Sequence, residues 1–347
     1  MGDVALINPA IEKIVENYPE IKLTIVTRNK FSIFFEGYNN VKIFEADFEN
    51  KYKGFFGLLS LFFKLLNEYK PDKIIDLHQN LRTGILKLFF FFSGIKSFTI
   101  NKGRKEKKAL TRFKNKILIP LPHTVNRYLK TFEKAGFSII NSSQKQSFFK
   151  LDDNPKQLNE FFKENDLNIS KNEFWIGLAP FAQHQQKMWD YENYIPLLEK
   201  IYAFDCKIKI FLFGGGKLEI EKLEYLHTLF PQTIVAAGNI ELATELNLIK
   251  KLDLMICMDS GNMHLAALSG VKVLSIWGAT HFYAGFGPYK QERENILEID
   301  TNDLTCRPCS VFGNKPCFRG DLACLKRINH QMVFERFVFL LEKNKTI

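Results

Sequence analysis

Long apolar runs are missing from this chain. The two greasiest segments, Gly54–Leu66 and Ile85–Ile95, each contain a lysine and fall short of the ~20 residues that a membrane-spanning helix needs. A basic leader followed by an apolar stretch is missing too. Asp3 and Pro9 stand where a secretory signal would need uninterrupted apolar sequence, so no signal peptide is expected. No internal repeat is apparent, which sets aside solenoids and propellers. Cysteine is scarce and uneven. Cys206 and Cys257 lie alone in apolar, strand-like segments, where a reduced, buried thiol is the ordinary state. A disulfide-stapled scaffold is excluded, and a cytoplasmic protein is expected. Acidic residues are outnumbered, 38 against 48 lysines and arginines, for a net charge of +10.

The 347 residues are 46% hydrophobic and 25% charged, enough for about two globular domains with full cores. The positive charge is concentrated. Between Asn101 and Ile117 eight basic residues meet one acid, Glu106, so this stretch carries +7 of the total. Its single aromatic, Phe113, gives no stacking pattern, and nucleic acid is not expected as a partner. The 34 phenylalanines are read as compositional bias without functional weight.

The pattern of apolar runs predicts alternating strands and helices. In the first half, strands are expected at Ile21–Thr27, Val41–Phe44, Lys73–Leu77 and Phe98–Ile100, with helices at Phe56–Tyr69 and Leu81–Phe92. The opening, Met1–Leu6, reads as a strand-to-helix turn with its helix running to about Asn17, so the first strand of a doubly wound domain is apparently missing. Residues 138–172 are polar, with Ser142, Ser143 and the run 152–155 marking a boundary. The rhythm then resumes with strands at Trp175–Ala179, Lys207–Phe213, Thr233–Ala236, Leu254–Cys257 and Lys272–Trp277, and the residues from Asn329 on form a helix. The expected organisation is a first α/β domain over 1–150, a linker over 151–172, a second α/β domain over 173–328, and a terminal helix over 329–347. A cleft is expected between the two domains.

The strongest local signal is Asp259-Ser260-Gly261-Asn262-Met263-His264. A buried strand ends in a tight polar turn that opens a helix, which offers free backbone N–H groups and the positive end of the helix dipole to a phosphate. Gly261 allows close backbone approach. An ordinary capped helix is the plainer reading.

Asp-Ser-Gly-x-x-His-x-Ala-Ala resembles the signature of glycosyltransferase family 9, the lipopolysaccharide heptosyltransferases. Met1-Gly2-Asp3-Val4, the segment Asp76 to Arg82, Ala179-Pro180-Phe181 through Lys187-Met188-Trp189, and Gly214-Gly215-Gly216 with Glu219 and Glu221 resemble further family segments in the family's order. The resemblance implies a GT-B fold of two Rossmann-like domains and inverting, metal-independent transfer from an ADP-heptose-type donor to the lipopolysaccharide inner core. It implies Asp3 as general base, and Lys187, Glu221, Asp259, Ser260, Gly261 and His264 as donor-binding residues. Asn80 and Arg82 are implied as acceptor contacts. Ala182 and Gln183 stand where the family often has two small hydroxylated residues.

Lys105, Lys107 and Lys108 are expected to dock an anionic glycolipid acceptor, holding the enzyme peripherally on the cytoplasmic leaflet of the inner membrane. The Ile85–Ile95 helix is expected to pack in the core and to add at most a shallow apolar contact there. Cys306, Cys309, Cys317 and Cys324, within a loop over 306–324, have the count for a structural zinc site, although the spacing matches no common finger. Packed thiols are the alternative. Two other functions stay open: a nucleotide-sugar epimerase of similar fold, and a non-catalytic glycan- or nucleotide-binding paralogue truncated at its N-terminus.

Overall fold

A computed structural model describes residues 1–140, 147–151, 156–167 and 173–345. Ser142, Ser143 and the run 152–155, read above as boundary markers, lie outside these residues. The chain divides into two units. One comprises Met1, Asp3–Arg104 and Pro122–Lys150; the other comprises Gly2, Lys105–Leu121 and Leu151–Ile347. The basic stretch, placed by sequence in the first domain, therefore packs almost entirely with the second unit.

In the first unit a short helical turn, α1 (Gly2–Ala5), is followed by α2 (Asn8–Asn17), with Pro9 in its first turn. Proline there costs no helical hydrogen bond. Strands β1 (Leu23–Thr27) and β2 (Val41–Glu45) pair in parallel, Leu23 opposite Val41. Helix α3 (Gly54–Tyr69), β3 (Lys73–Asp76), α4 (Leu81–Phe92) and β4 (Lys96–Thr99) follow, with β3 and β4 parallel and Lys73 opposite Lys96. Two separate two-stranded sheets result. Among the described residues no strand precedes β1. The core under α3 and α4 is aromatic, with Phe44, Tyr52, Phe62 and Phe90 buried together.

Arg104–Thr111 forms α5, where the sequence suggested only a basic loop. It buries Lys107, Leu110 and Thr111 and leaves Lys105 and Lys108 exposed, the one-sided burial that a 3.6-residue period produces. Helix α6 (Thr124–Lys134) returns the chain to the first unit, burying Val125, Tyr128 and Phe132.

The second unit opens with α7 (Lys156–Glu164), a helix missed because its polar residues masked the buried Leu158, Phe161 and Phe162. Then come β5 (Trp175–Ala179), α8 (Tyr194–Phe204), β6 (Lys209–Leu212), α9 (Lys217–Leu229), β7 (Ile234–Val235) and α10 (Leu242–Ile249). They are followed by β8 (Leu254–Met258), α11 (Gly261–Leu268), β9 (Lys272–Trp277), β10 (Ile296–Glu298), α12 (Ala323–Lys326) and α13 (His330–Lys345). The six strands form one parallel sheet in the order β10-β9-β8-β5-β6-β7. Every residue of β5 and β8 is buried, which explains their unbroken apolar sequence. From β5 the chain winds outward through β6 and β7, then crosses back to β8 and winds the other way. The β5–β8 junction is thus a topological switch point, where loops diverge at the carboxyl ends of the strands and leave room for a ligand.

Candidate functional site

The loop after β5 carries Lys187, in a single 3-10 turn over Gln185–Lys187. The turn after β8 carries Asp259 and Ser260. The two loops meet at the switch point, with Lys187 Nζ 2.9 Å from Asp259 Oδ2 and both side chains largely buried. Thr280, just beyond β9, donates its hydroxyl to the same carboxylate oxygen at 2.8 Å. Ser260 is the N-cap of α11, in extended backbone, but its hydroxyl makes no capping bond. That hydroxyl is buried and has no hydrogen-bond partner among the described residues. Gly261 is the first residue of α11, and His264 lies buried on its first turn. A cation, a buried hydroxyl and the free N–H groups of a helix start converge here, a set suited to an anionic group.

Beside it the Gly214–Gly216 loop leads from β6 into α9. Glu219 folds back so that Oε2 accepts the Gly215 N–H at 2.8 Å. Glu221 instead lies on the exposed side of α9, its carboxylate 3.9 Å from Lys217. Of the two acids, Glu219 is the one built into the glycine loop.

The cysteine-rich loop is a buttress. Arg307 is fully buried and donates from Nε to Gly278 O at 3.0 Å and from Nη2 to Thr280 O at 3.1 Å. The same Nη2 lies 2.7 Å from Glu298 Oε2, while His281 Nε2 and Arg293 Nη2 approach Glu298 Oε1 at 3.3 and 2.7 Å. Cys309 and Ser310 donate their N–H groups to Ala279 O. Gly313, at φ +74°, packs under Lys187, and a Cβ there would come within 2.5 Å of the lysine Cγ. This loop thereby fixes the post-β9 turn that orients Asp259, and it carries the stem of Lys187. Sequence reading missed Thr280, Arg307 and Gly313. Thr280 alone had a signal, its place just past the end of an internal parallel strand.

Burial would raise the Glu298 pKa, but hydrogen bonds from His281 and Arg307 outweigh it and hold the carboxyl below its usual value. The stability this supplies is present above the usual glutamate pKa and is lost as pH falls through the lowered one. Arg307→Met is expected to destabilise the protein by about 3 kcal/mol at neutral pH, because the buried carboxylate loses its buried cation and keeps His281 and the more exposed Arg293. Thermal melts should show the difference from wild type shrinking as pH falls through the ordinary glutamate range toward the lowered pKa.

The structure corrects the zinc expectation. Among the described residues no group of three or more His, Cys, Asp or Glu side chains is placed to hold a metal ion, and all six cysteines are free thiols. Cys324 is buried in the main core, and Cys306 and Cys309 pack against it. Cys306, Cys309 and Cys324 serve as small apolar residues, and Cys206, expected to be buried, is exposed. Lys107 is also relocated. It is buried with Nζ 3.8 Å from the centre of the Phe286 ring, a cation–π contact that removes it from any docking surface. Lys116 is likewise engaged, donating to Thr305 O at 3.0 Å, and Phe113 packs edge-on against Phe318.

In the first unit Asp3 lies exposed on α1, and its backbone oxygen accepts the Tyr128 hydroxyl at 3.0 Å. Burial lowers the Lys102 pKa against the opposing pull of Asp3, and burial followed by Lys102 lowers that of His78, again against Asp3. Asp3, His78 and Lys102 thus share one electrostatic neighbourhood. Asn80 caps α4, accepting the Thr83 N–H at 2.9 Å while Thr83 Oγ1 accepts the Asn80 N–H. Arg82 is exposed, with its guanidinium 5.0 Å from the centre of the Phe48 ring.

The sequence profile described as glycosyltransferase family 9 (heptosyltransferase) matches residues 60–313. The chain belongs to glycosyltransferase family 9. Among curated members, lipooligosaccharide heptosyltransferase 2 of Campylobacter jejuni is 27% identical over 349 residues, covering 99% of this chain and 96% of that protein. The lipopolysaccharide core heptosyltransferase OpsX of Haemophilus influenzae is 25% identical, covering 86% and 82%. Among solved structures, a family 9 glycosyltransferase from Veillonella parvula superposes with a TM-score of 0.73 at 19% identity, covering 99% of this chain and 95% of that one. The E. coli heptosyltransferase WaaC with ADP gives 0.67 at 17%, covering 98% and 97%. The GT-B fold expected from the sequence is the one this family 9 chain adopts. Family 9 membership makes the chain a glycosyltransferase and sets aside the epimerase alternative.

Proposed function

We propose that the protein transfers a heptose from ADP-heptose to an anionic glycolipid acceptor, the inner core of lipopolysaccharide, at the cytoplasmic face of the membrane. The observation that carries this reading is the Lys187–Asp259 pair at the switch point, next to the unpartnered Ser260 hydroxyl and the start of α11. Of these, the lysine, the hydroxyl and the N–H groups at the helix start are what a nucleoside diphosphate needs, and Asp259 holds the lysine in place. Relatives named for lipooligosaccharide and lipopolysaccharide heptosyl transfer, and E. coli WaaC structures titled with ADP and with ADP-2-deoxy-2-fluoro heptose, supply the sugar and the base.

In this reading Asp3 accepts the proton of the acceptor hydroxyl. The hydroxyl oxygen attacks the anomeric carbon, and the bond to the diphosphate oxygen breaks with inversion. Lys187 and the N–H groups of Gly261 and its neighbours meet the charge that develops on the departing diphosphate. Gly214–Gly216 and Glu219 lie where the nucleoside would be held, with Glu221 at the rim. Arg82 in the first unit and Lys105 and Lys108 in the second are exposed cations, each of a kind to attract the acceptor's anionic groups.

Two measurements test the reading. ADP at a hundredfold excess over its Kd should raise the thermal midpoint by about 5 °C. ADP-heptose with Kdo-lipid A should release ADP in step with product. A midpoint raised by UDP and not by ADP would overturn the choice of donor. Absence of release would overturn the activity.

A further inference from the structure

In a water-soluble α/β domain the outward faces of helices are mainly polar, yet α3 and α4 also turn a set of phenylalanines outward beside Lys64, Glu68 and Arg82. Phe56, Phe91 and Phe92 are 82%, 71% and 77% exposed, and Phe55, Phe63 and Leu88 are more than half exposed. These side chains form one surface. Phe62 on α3 packs against Phe89 and Phe90 on α4, and the exposed Phe55 touches Phe89 at 5.5 Å between ring centres. Leu88 and Phe92 follow at helical spacing on α4, and Phe91 packs edge-on against Phe92. An open cavity of about 320 Å³ lined by Leu88, Phe91 and Ile95 continues the patch. Solubility alone does not account for so many exposed rings in one place.

Charge says what covers it. The single acid on α3 and α4 is Glu68, near the end of α3 and 3.7 Å from Lys64, and none occurs from Lys51 to Asn67 or from Leu77 to Lys105. Exposed Lys51, Lys53, Arg82 and Lys96 lie within or at the ends of these stretches. A two-fold contact with a second copy would set each patch, with its cations, against itself, and like charges across an interface are unfavourable. A bilayer with anionic headgroups matches both features, since rings enter the acyl boundary while lysines and arginines stay at headgroup level. Neither helix can span. None among the described residues is long and apolar enough to cross a membrane, so the helices would lie in the interface plane.

We infer that the α3–α4 face of the first unit is the membrane-docking surface, inserting its exposed phenylalanines into an anionic leaflet. The inference rests on the proposed transfer to a membrane-held acceptor, and it moves the main docking role from the lysines of α5 to these rings. Co-sedimentation of the full chain with phosphatidylcholine vesicles, with and without phosphatidylglycerol, tests it. Wild type should bind vesicles that contain phosphatidylglycerol, and Phe56→Ser/Phe91→Ser/Phe92→Ser should bind them about tenfold less or weaker still. The thermal midpoint should be unchanged, because the three rings are exposed. The corresponding triple leucine variant should retain binding. Equal binding by wild type and the serine variant, or no binding by wild type, overturns the inference. So does a wild-type dimer that the serine substitutions dissolve. Transfer to a delipidated, soluble core oligosaccharide separates the two ideas, since wild type and the serine variant should turn it over equally. Vesicle binding as expected without such turnover would sink the transfer reading and leave the docking surface standing.

Discussion

Lys187→Ala should lower kcat/KM for ADP-heptose by about a thousandfold, the upper end of what one positioned donor to a developing anion contributes. The size follows from the site. Lys187 is the cation at the β5–β8 junction, its stem is seated on Gly313, and its ammonium lies 2.9 Å from Asp259. Truncation removes the charge that meets the diphosphate and also leaves the buried Asp259 carboxylate facing the incoming phosphates. The second loss is reversible by a second substitution. Lys187→Ala/Asp259→Asn should therefore be no worse than Lys187→Ala and should bind ADP more tightly than it does. Steady-state ADP release and ADP titration on the three proteins read both quantities. A Lys187→Ala enzyme within threefold of wild type would take the lysine off the diphosphate.

Asp3→Asn is expected to lower kcat by about a thousandfold with little change in KM for the donor, the signature of a lost general base. The substitution is clean because Tyr128 bonds the backbone oxygen of Asp3 and not its carboxylate, so α1 stays in place. Acceptor turnover by Asp3→Asn, set against its ADP affinity, decides the matter. Equal rates for variant and wild type would remove Asp3 from the mechanism.

The second unit was readable because its strands are apolar on both faces. β5 and β9 match their expected bounds, and β8 runs one residue beyond its own. β10 escaped notice because three residues, Ile296–Glu298, carry no periodicity to detect. α5 escaped because a lysine occupies a buried position, with its ammonium over the Phe286 ring. The cysteine loop shows a different limit. Four thiols in 19 residues suggested coordination, but the working parts of that loop are Arg307 and Gly313, whose partners are distant in sequence. Glu219 and Glu221 differ only in which side of α9 they leave from, and only the geometry of the Gly214–Gly216 turn separates them. The surplus of phenylalanine was dismissed as bias since composition does not say which rings face water.

The tie between Lys187 and the 306–324 loop also orders the making of the protein. Strand β5 pairs with β6 nearby and with β8 far along the chain, and the distant pairing is expected to wait on loop closure. A nascent chain leaving the ribosome can thus complete the sheet from β5 through β9 while Lys187 still lacks the Gly313 shelf and the post-β9 turn still lacks Arg307. The Lys187–Asp259 site is thus expected to be completed last, after the residues that form it have been synthesised.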